Sequence, residues 1–282
     1  MGCRNCCAIL LVLYLSVLSE KSLGFKVKHN RQNWDFLVFT QQWPAVSCLS
    51  WKVLNPSHKC NISDDVNTWT VHGIWPSSYD HSSPSFCNNS LTFNVSQIQN
   101  IKSELHVYWP NIYANTPEDQ LWAHEWNKHG TCAAILPPLK TEELFFNQGI
   151  QWSKQYDLLN ILAEFGISPS KTTPVLAYDI AAAIKKKLEV EPSLVCEYVP
   201  ANKTYYIFEI ELCFSKTLEL MNCPTKTIHN EQAQIGATSC PSNQLVWYPE
   251  IEHTGQLSGN QRQLSAFGRL FQTVMTILPY TW

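Results

Sequence analysis

The chain has 282 residues, 45 % of them hydrophobic and 15 % charged, with 20 basic against 23 acidic side chains and a formal charge of −3 at pH 7. Proteins that hold nucleic acid by bulk electrostatics are basic, so this chain is excluded from that class and must engage any polyanion locally, in a cleft. Its length suits one good-sized core, and it shows no internal repeat or interdomain linker.

From the N-terminus, Met1 to Gly24 has the layout of a secretory signal, with Arg4 at the positive end, Ala8 to Leu18 as the apolar run and Ser22-Leu23-Gly24 as a small-x-small cleavage site. That run is too short to span a bilayer, and no later stretch is long and apolar enough, so no stable membrane insertion is expected. Cleavage removes two basic residues and one acidic residue, which moves the formal charge from −3 to −4. The mature chain is expected to be secreted, to the outside of the cell or to a lysosomal or other acidic compartment. All nine histidines lie beyond the signal, and protonating them would carry the charge from −4 to +5. Unperturbed histidine titrates near pH ~6.5, so acid makes this protein friendlier to a polyanion.

Of the eleven cysteines, Cys3, Cys6 and Cys7 leave with the signal. Cys48, Cys60, Cys87, Cys132, Cys196, Cys213, Cys223 and Cys240 remain, an even set that argues for four disulfides in an exported chain, with 105 connectivities open. Four glycosylation acceptors, at Asn61, Asn88, Asn94 and Asn202, fit the same compartment.

Asp35 to Thr40 (D-F-L-V-F-T) predicts a strand buried on both faces. Trp69 to Pro76 (W-T-V-H-G-I-W-P) predicts a strand closed by Pro76, carrying His72 beside Gly73, where a substrate can approach the backbone. Helices are predicted over Ser96 to Val107, over Thr141 to Gln155 with Thr141 as cap and Glu142 and Glu143 in the first turn, and over Tyr178 to Leu188. Lys185, Lys186 and Lys187 are read as a solvated end that suits the helix dipole. In Thr204 to Phe214, Phe208, Ile210 and Leu212 alternate with Glu209 and Glu211, which predicts a strand with one buried and one wet face. Gln244 to Tyr248 is read as a last strand. Helices mostly precede strands without alternating with them, which predicts an α+β fold, an antiparallel sheet with flanking helices. Residues 25–250 then form the main domain. Residues 251–282 form an extension in which Leu264, Phe267, Phe271, Val274 and Leu278 make the apolar stripe of an amphipathic helix packed on the domain.

The stretch with the most chemistry is Leu121 to Cys132, L-W-A-H-E-W-N-K-H-G-T-C. On a regular helix His124, Glu125, Lys128 and His129 fall at about 0°, 100°, 40° and 140°, all on one side, with Ala123 and Trp126 turned away. Burying such a quartet unpaired costs several kcal/mol per ion, so it is expected to line a cleft. The zinc motif H-E-x-x-H is not met. The second histidine comes five residues after the first, about 140° away, so no metal site is expected.

H-G-I-W-P at His72 to Pro76 and W-A-H-E-W-N-K-H-G-T-C at Trp122 to Cys132, in that order and at that separation, resemble the paired active-site blocks of the ribonuclease T2 family. L-V-F-T-Q-Q-W-P at Leu37 to Pro44 and Tyr108-Trp109-Pro110-Asn111 resemble it as well, and the likeness runs from about Trp34 to Glu250.

The resemblance implies a disulfide-stapled ribonuclease T2-like fold and a secreted, glycosylated, metal-independent endoribonuclease acting on single-stranded RNA. It implies His129 as base, His72 as acid, Lys128 and His124 on the phosphoryl oxygens, and Glu125 orienting or polarising the transition state. Trp75 would offer a stacking face to a base, with Gln42 and Leu121 as further substrate contacts. It selects the disulfides Cys48–Cys60, Cys87–Cys132, Cys196–Cys240 and Cys213–Cys223. No cofactor and a monomer are expected. The alternative is an exported glycoprotein that acts through a glycan-recognising receptor, with incidental catalysis.

Two positions depart from the family pattern: Ser77 stands where many members carry a base-reading Asp, and Leu121 where they often carry Phe. Purine selectivity is therefore expected to be weaker than in an Asp-bearing relative. Cleavage rates on a set of dinucleotides check this, and a strong adenine preference would contradict it.

Overall fold

The structure, a computed structural model, describes residues 33–79, 83–224 and 237–254. The expected signal segment and the amphipathic helix expected after Glu250 lie outside the described residues. No helix among them is long and apolar enough to cross a membrane.

The sheet begins with β1 (Phe36–Gln42), buried along its whole length as expected. Pro44, with φ already preset for a first turn, opens helix α1 (Pro44–Leu54). Strand β2 (Thr70–Ser77) pairs antiparallel with β1. It does not close at Pro76: the strand includes it because β2 is an edge of the main path, where a missing N–H breaks no ladder. The helix expected over Ser96 to Val107 is a 3-10 turn, Val95–Ile101, capped by Asn94, that runs into α2 (Lys102–Tyr108). Helix α3 (Gln120–Glu125) passes into a π turn at Trp126–Gly130 and then a short turn at Thr131–Ala133. Helix α4 (Glu142–Gln155) has the expected cap, Thr141 accepting from Leu144 N. After α5 (Leu158–Ala163) come the short strand β3 (Val175–Leu176) and α6 (Ala177–Leu188). The remaining strands are β4 (Ser193–Val199), β5 (Thr204–Phe214), β6 (Leu220–Met221), β7 (Ala237–Ser239) and β8 (Leu245–Trp247).

The strands form one sheet in the order β2-β1-β5-β4-β7, with β6 and β8 also on β5 and β3 on β8. Its pairings are antiparallel except one: β8 runs parallel to β5, so the α+β expectation holds while the sheet is mixed. One face carries Leu37, Phe39, Ile210, Leu212 and Phe214 into the main core. There α4 covers them, with Trp152 stacked on Phe214 at 3.9 Å between centroids. All four implied disulfides are present, Cys48–Cys60, Cys87–Cys132, Cys196–Cys240 and Cys213–Cys223.

The expected wet face of β5 is not wet. Glu209 is 6 % and Glu211 2 % exposed, and Glu197 on β4 is fully buried. This second face is covered too: α1 lays Ser47 against Gln42, accepted at 2.9 Å, and brings Ser50 to Glu197. Regular alternation of charged and apolar residues therefore marks two buried faces here, one apolar and one polar.

Burial pushes the Glu211 carboxyl up to about 8, with a bond from Ser193 opposing it, and the Glu197 carboxyl up to about 7 against a bond from Ser50. A carboxyl whose folded value lies above its ordinary one contributes stability that is complete below pH ~4.5 and lost as the pH rises through the folded value. The thermal midpoint is therefore expected to fall between pH ~4.5 and pH ~8, and Glu211→Gln, which cannot ionise, to flatten that fall. Equal slopes for both proteins in a pH series of melting curves would overturn this.

Candidate active site

Strand β2 and the α3-to-π-turn segment each supply part of the site. In the β1–β2 ladder Thr40 pairs with Gly73 and Gln41 with Val71, so His72 is the extra residue of a β-bulge. Without it, strict alternation would turn His72 into the helix-covered core opposite Gln41. The bulge re-aims the side chain to the other face. Trp109 Nε1 donates to His72 O at 3.0 Å and holds the bulged backbone from α4's side of the sheet.

On the facing segment, Thr131 N–H reaches back to Trp126 O, five residues earlier. A π turn spends an extra residue, so positions five apart come to lie above one another. His124 and His129 are accordingly neighbours, 6.4 Å between ring centroids. This overturns the argument that a 140° divergence keeps them from one metal: donor atoms of His124, Glu125 and His129 all lie within 4.8 Å of one another. Trp126 points into the core as expected, packing on Phe145 at 5.7 Å, and Trp122 is buried there as well. Phe86 N donates to Lys128 O, and the Cys87–Cys132 bridge ties the segment to the chain that follows β2.

The two parts meet at Trp75. His72 lies 5.1 Å from its ring and His129 5.6 Å, so both imidazoles border one indole. Trp75 Nε1 donates to Glu125 Oε2 at 2.9 Å, and Glu125 Oε1 lies 4.0 Å from His72 Nε2. Glu125 is fully buried. Burial pushes its carboxyl up to about 7, against the opposing pull of His72, the Trp75 bond and Lys128. Burial also lowers His124, helped by the positive charge of Lys128 and then of His72. For His72 burial works against the charged ring, but Glu209, by charge and hydrogen bond, and Glu125 outweigh it, so its pKa is raised.

The five residues expected to carry catalysis are thus brought together, while two expected substrate contacts are not where a substrate reaches them. Trp75 is 3 % exposed, packed with Phe36, Val38 and the Cys213–Cys223 bridge. Its N–H orients Glu125 in place of its face receiving a base. Gln42 is 1 % exposed with its amide oxygen taken by Ser47. Leu121 stays half-buried at the start of α3. Ser77 is fully buried, its hydroxyl donating to Trp75 O at 3.0 Å. The sequence reading missed Glu209, whose Oε1 lies 2.6 Å from His72 Nδ1. The only sequence signal for it is the charged alternation of β5, which by itself predicts solvent exposure.

The profile of the Ribonuclease T2 family matches residues 34–223, which hold all of these groups. The chain belongs to the ribonuclease T2 family. It is 35 % identical over 222 residues to Ribonuclease Oy of Magallana gigas, covering 78 % of this chain and 98 % of that one. To Ribonuclease T2 of Homo sapiens it is 31 % identical over 221 residues, 77 % of this chain and 80 % of that one. The crystal structure of human RNase T2 superposes with a TM-score of 0.61 at 28 % identity, over 78 % of this chain and 100 % of that chain. RNase NT in complex with 5'-AMP has the same fold, with a TM-score of 0.64 at 24 % identity and the same coverages. The protein is therefore an endoribonuclease of the T2 family.

In this T2-family chain, Gly73 is what lets the two parts close. A Cβ there would stand 2.1 Å from Trp75 Nε1 and 2.2 Å from Glu125 Oε2, so any side chain breaks their contact. It was read as room for substrate, yet the room is taken by the protein's own bond. Gly73→Ala is expected to lower kcat by about 10²-fold, the scale of a misplacement of about 1 Å, while the protein still folds. Steady-state kinetics beside a melting curve check this, and near-normal turnover would refute it.

Proposed function

We propose that this T2-family endoribonuclease cleaves single-stranded RNA by attack of a ribose 2'-hydroxyl on its own 3'-phosphodiester, leaving a 2',3'-cyclic phosphate. The observation that supports it is the meeting of His72 and His129 on the two borders of Trp75, from separate parts of the chain. RNA brings its nucleophile, so the protein must supply a base, an acid and stabilisation of the phosphorane.

His129 takes the 2'-hydroxyl proton as O2' bonds to phosphorus. The bond from phosphorus to O5' breaks, and His72 gives that oxygen its proton. Lys128, whose charge acts on His72, His124 and Glu125, faces the growing negative charge together with His124. Glu125 Oε2 is engaged by Trp75, while Oε1 accepts no hydrogen bond among the described residues. Below about 7 Glu125 is neutral and can donate from Oε1 to a phosphoryl oxygen. Turnover then favours acid, as does the charge of the whole chain.

The acid-favouring site, the N-terminal signal and the sequons support a secreted glycoprotein of an acidic milieu. Asn61, Asn94 and Asn202 are exposed, and Asn88 is half-buried.

One preparation tests the proposal: the full chain expressed with its own leader in a eukaryotic host that exports proteins. We expect it in the medium, shortened at the N-terminus and shifted in mobility by a glycosidase. It should cleave RNA in EDTA to a 2',3'-cyclic end, with an optimum below neutral. His72→Phe and His129→Phe are each expected to lose about 10²–10⁴-fold in kcat, the worth of a positioned acid or base. Retention in the cell, activity abolished by EDTA, or a rate still climbing above pH ~8 would each refute the corresponding part.

A further inference from the structure

Three carboxylates lie buried on the second face of the sheet, and one of them has a partner in the site. Glu209 Oε1 is 2.6 Å from His72 Nδ1, the side chains being 8 % and 14 % exposed. The contact is not local. Glu209 sits on β5 opposite Gln42 of β1, and His72 sits on β2, beyond β1. Only the bulge that turns His72 off the core face lets the two meet across the intervening strand.

We infer that Glu209 is a positioning residue for this reaction, accepting the Nδ1 proton of His72 so that Nε2 is the atom that titrates and donates. This rests on the reading of His72 as the acid.

A neutral imidazole has one N–H, and the partner of one nitrogen decides which nitrogen carries it. An ionised carboxylate accepts only, so Nδ1 keeps its hydrogen in both states and proton exchange falls to Nε2. Nε2 is the nitrogen on the side of Glu125, 4.0 Å from Oε1. Turning the ring over would forfeit a charge-assisted bond. The backbone is already fixed by Trp109 and one edge of the ring by Trp75. Glu209 supplies the remaining constraint, rotation about the last side-chain bond.

The ionisable groups acting on His72 are Glu209 and Glu211 from β5, Glu125 from α3 and Lys128 from the π turn, with His124 nearby. Glu197 and Glu211 feel Glu209 in turn. Of these, only Glu209 bonds to His72.

An acid is needed only when the leaving oxygen is a poor one, and this separates positioning of the acid from general structural support. Glu209→Gln keeps a carbonyl for Nδ1–H but removes the charge, and Glu209→Ala removes both. Turnover would be measured on a dinucleoside monophosphate, whose alkoxide must be protonated, and on a nucleoside 3'-(4-nitrophenyl phosphate), whose phenolate leaves unaided. On the dinucleotide we expect Glu209→Ala to lose about 10- to 100-fold in kcat, part of the ~10²–10⁴ a positioned acid supplies, with KM little changed. On the nitrophenyl ester both variants should approach the wild type, as should His72→Phe. For Glu209→Gln the alkaline limb of kcat should also move down by about one pH unit, the effect of losing one adjacent negative charge.

Equal losses on both substrates for Glu209→Gln and Glu209→Ala, with His72→Phe still rescued by the good leaving group, would overturn the inference and leave His72 as the acid. Failure of His72→Phe to be rescued would overturn that assignment and the inference with it. Melting curves accompany each variant, and the near-isosteric Gln change carries the test if the Ala variant does not fold.

Discussion

The hydrogen bond from Trp75 Nε1 to Glu125 Oε2 crosses the backbone at a glycine, and the site depends on that crossing. It joins an edge strand to a helical segment some fifty residues away, with no room for even a methyl group between them. Because the indole is buried and its N–H committed, the bond costs little further entropy to keep and a buried donor to break, about 1–3 kcal/mol. Glu125 is thereby held against His72 on one side, while His129 borders the same indole on the other. The Cys87–Cys132 bridge limits how far the two segments can drift apart. The chemistry proposed for the site, passing one proton on and taking another off around a single phosphate, needs this fixed spacing more than it needs any one residue's intrinsic reactivity.

Two irregularities of backbone create the arrangement. A one-residue bulge turns His72 from the core to the site, and a π turn brings His124 back over His129. Each is a local departure from the periodicity that otherwise packs the chain, and each places an imidazole where regular structure would not. The face they share is also where carboxylates are buried. Desolvation there holds Glu125, Glu197 and Glu211 toward the neutral form, so the same physical cause biases the fold toward acid and underlies the acid preference proposed for catalysis.

Much of this was legible in the residues. The strand begun by the apolar residues Phe36 to Phe39, the Thr141 cap of the helix Glu142–Gln155 and the eleven-residue strand Thr204–Phe214 all follow from hydrophobic period and capping chemistry. The two blocks around His72 and His129 pointed to the family that the comparisons show. The differences share one origin: a local pattern makes no statement about solvent. Glu209 and Glu211 alternate like a wet face and are buried. Trp75 resembles a stacking platform and is packed. Gln42 falls in a family-like block and is sealed under Ser47. In each case what covers the residue comes from elsewhere in the chain.

The sequence by itself determined which groups are available: histidines, a lysine and a glutamate in two short blocks, eleven cysteines of which eight lie beyond residue 24, and a chain with too little positive charge to bind RNA broadly. Those are facts of covalent composition and near-neighbour spacing. Only the tertiary structure decided that Glu209 meets His72, that Trp75 serves Glu125, and that residues five apart on a helix stand together. Such contacts depend on strand register, on a bulge and on a π turn. None of these is a property of a short window of residues, because each is selected by the packing of segments distant in the chain.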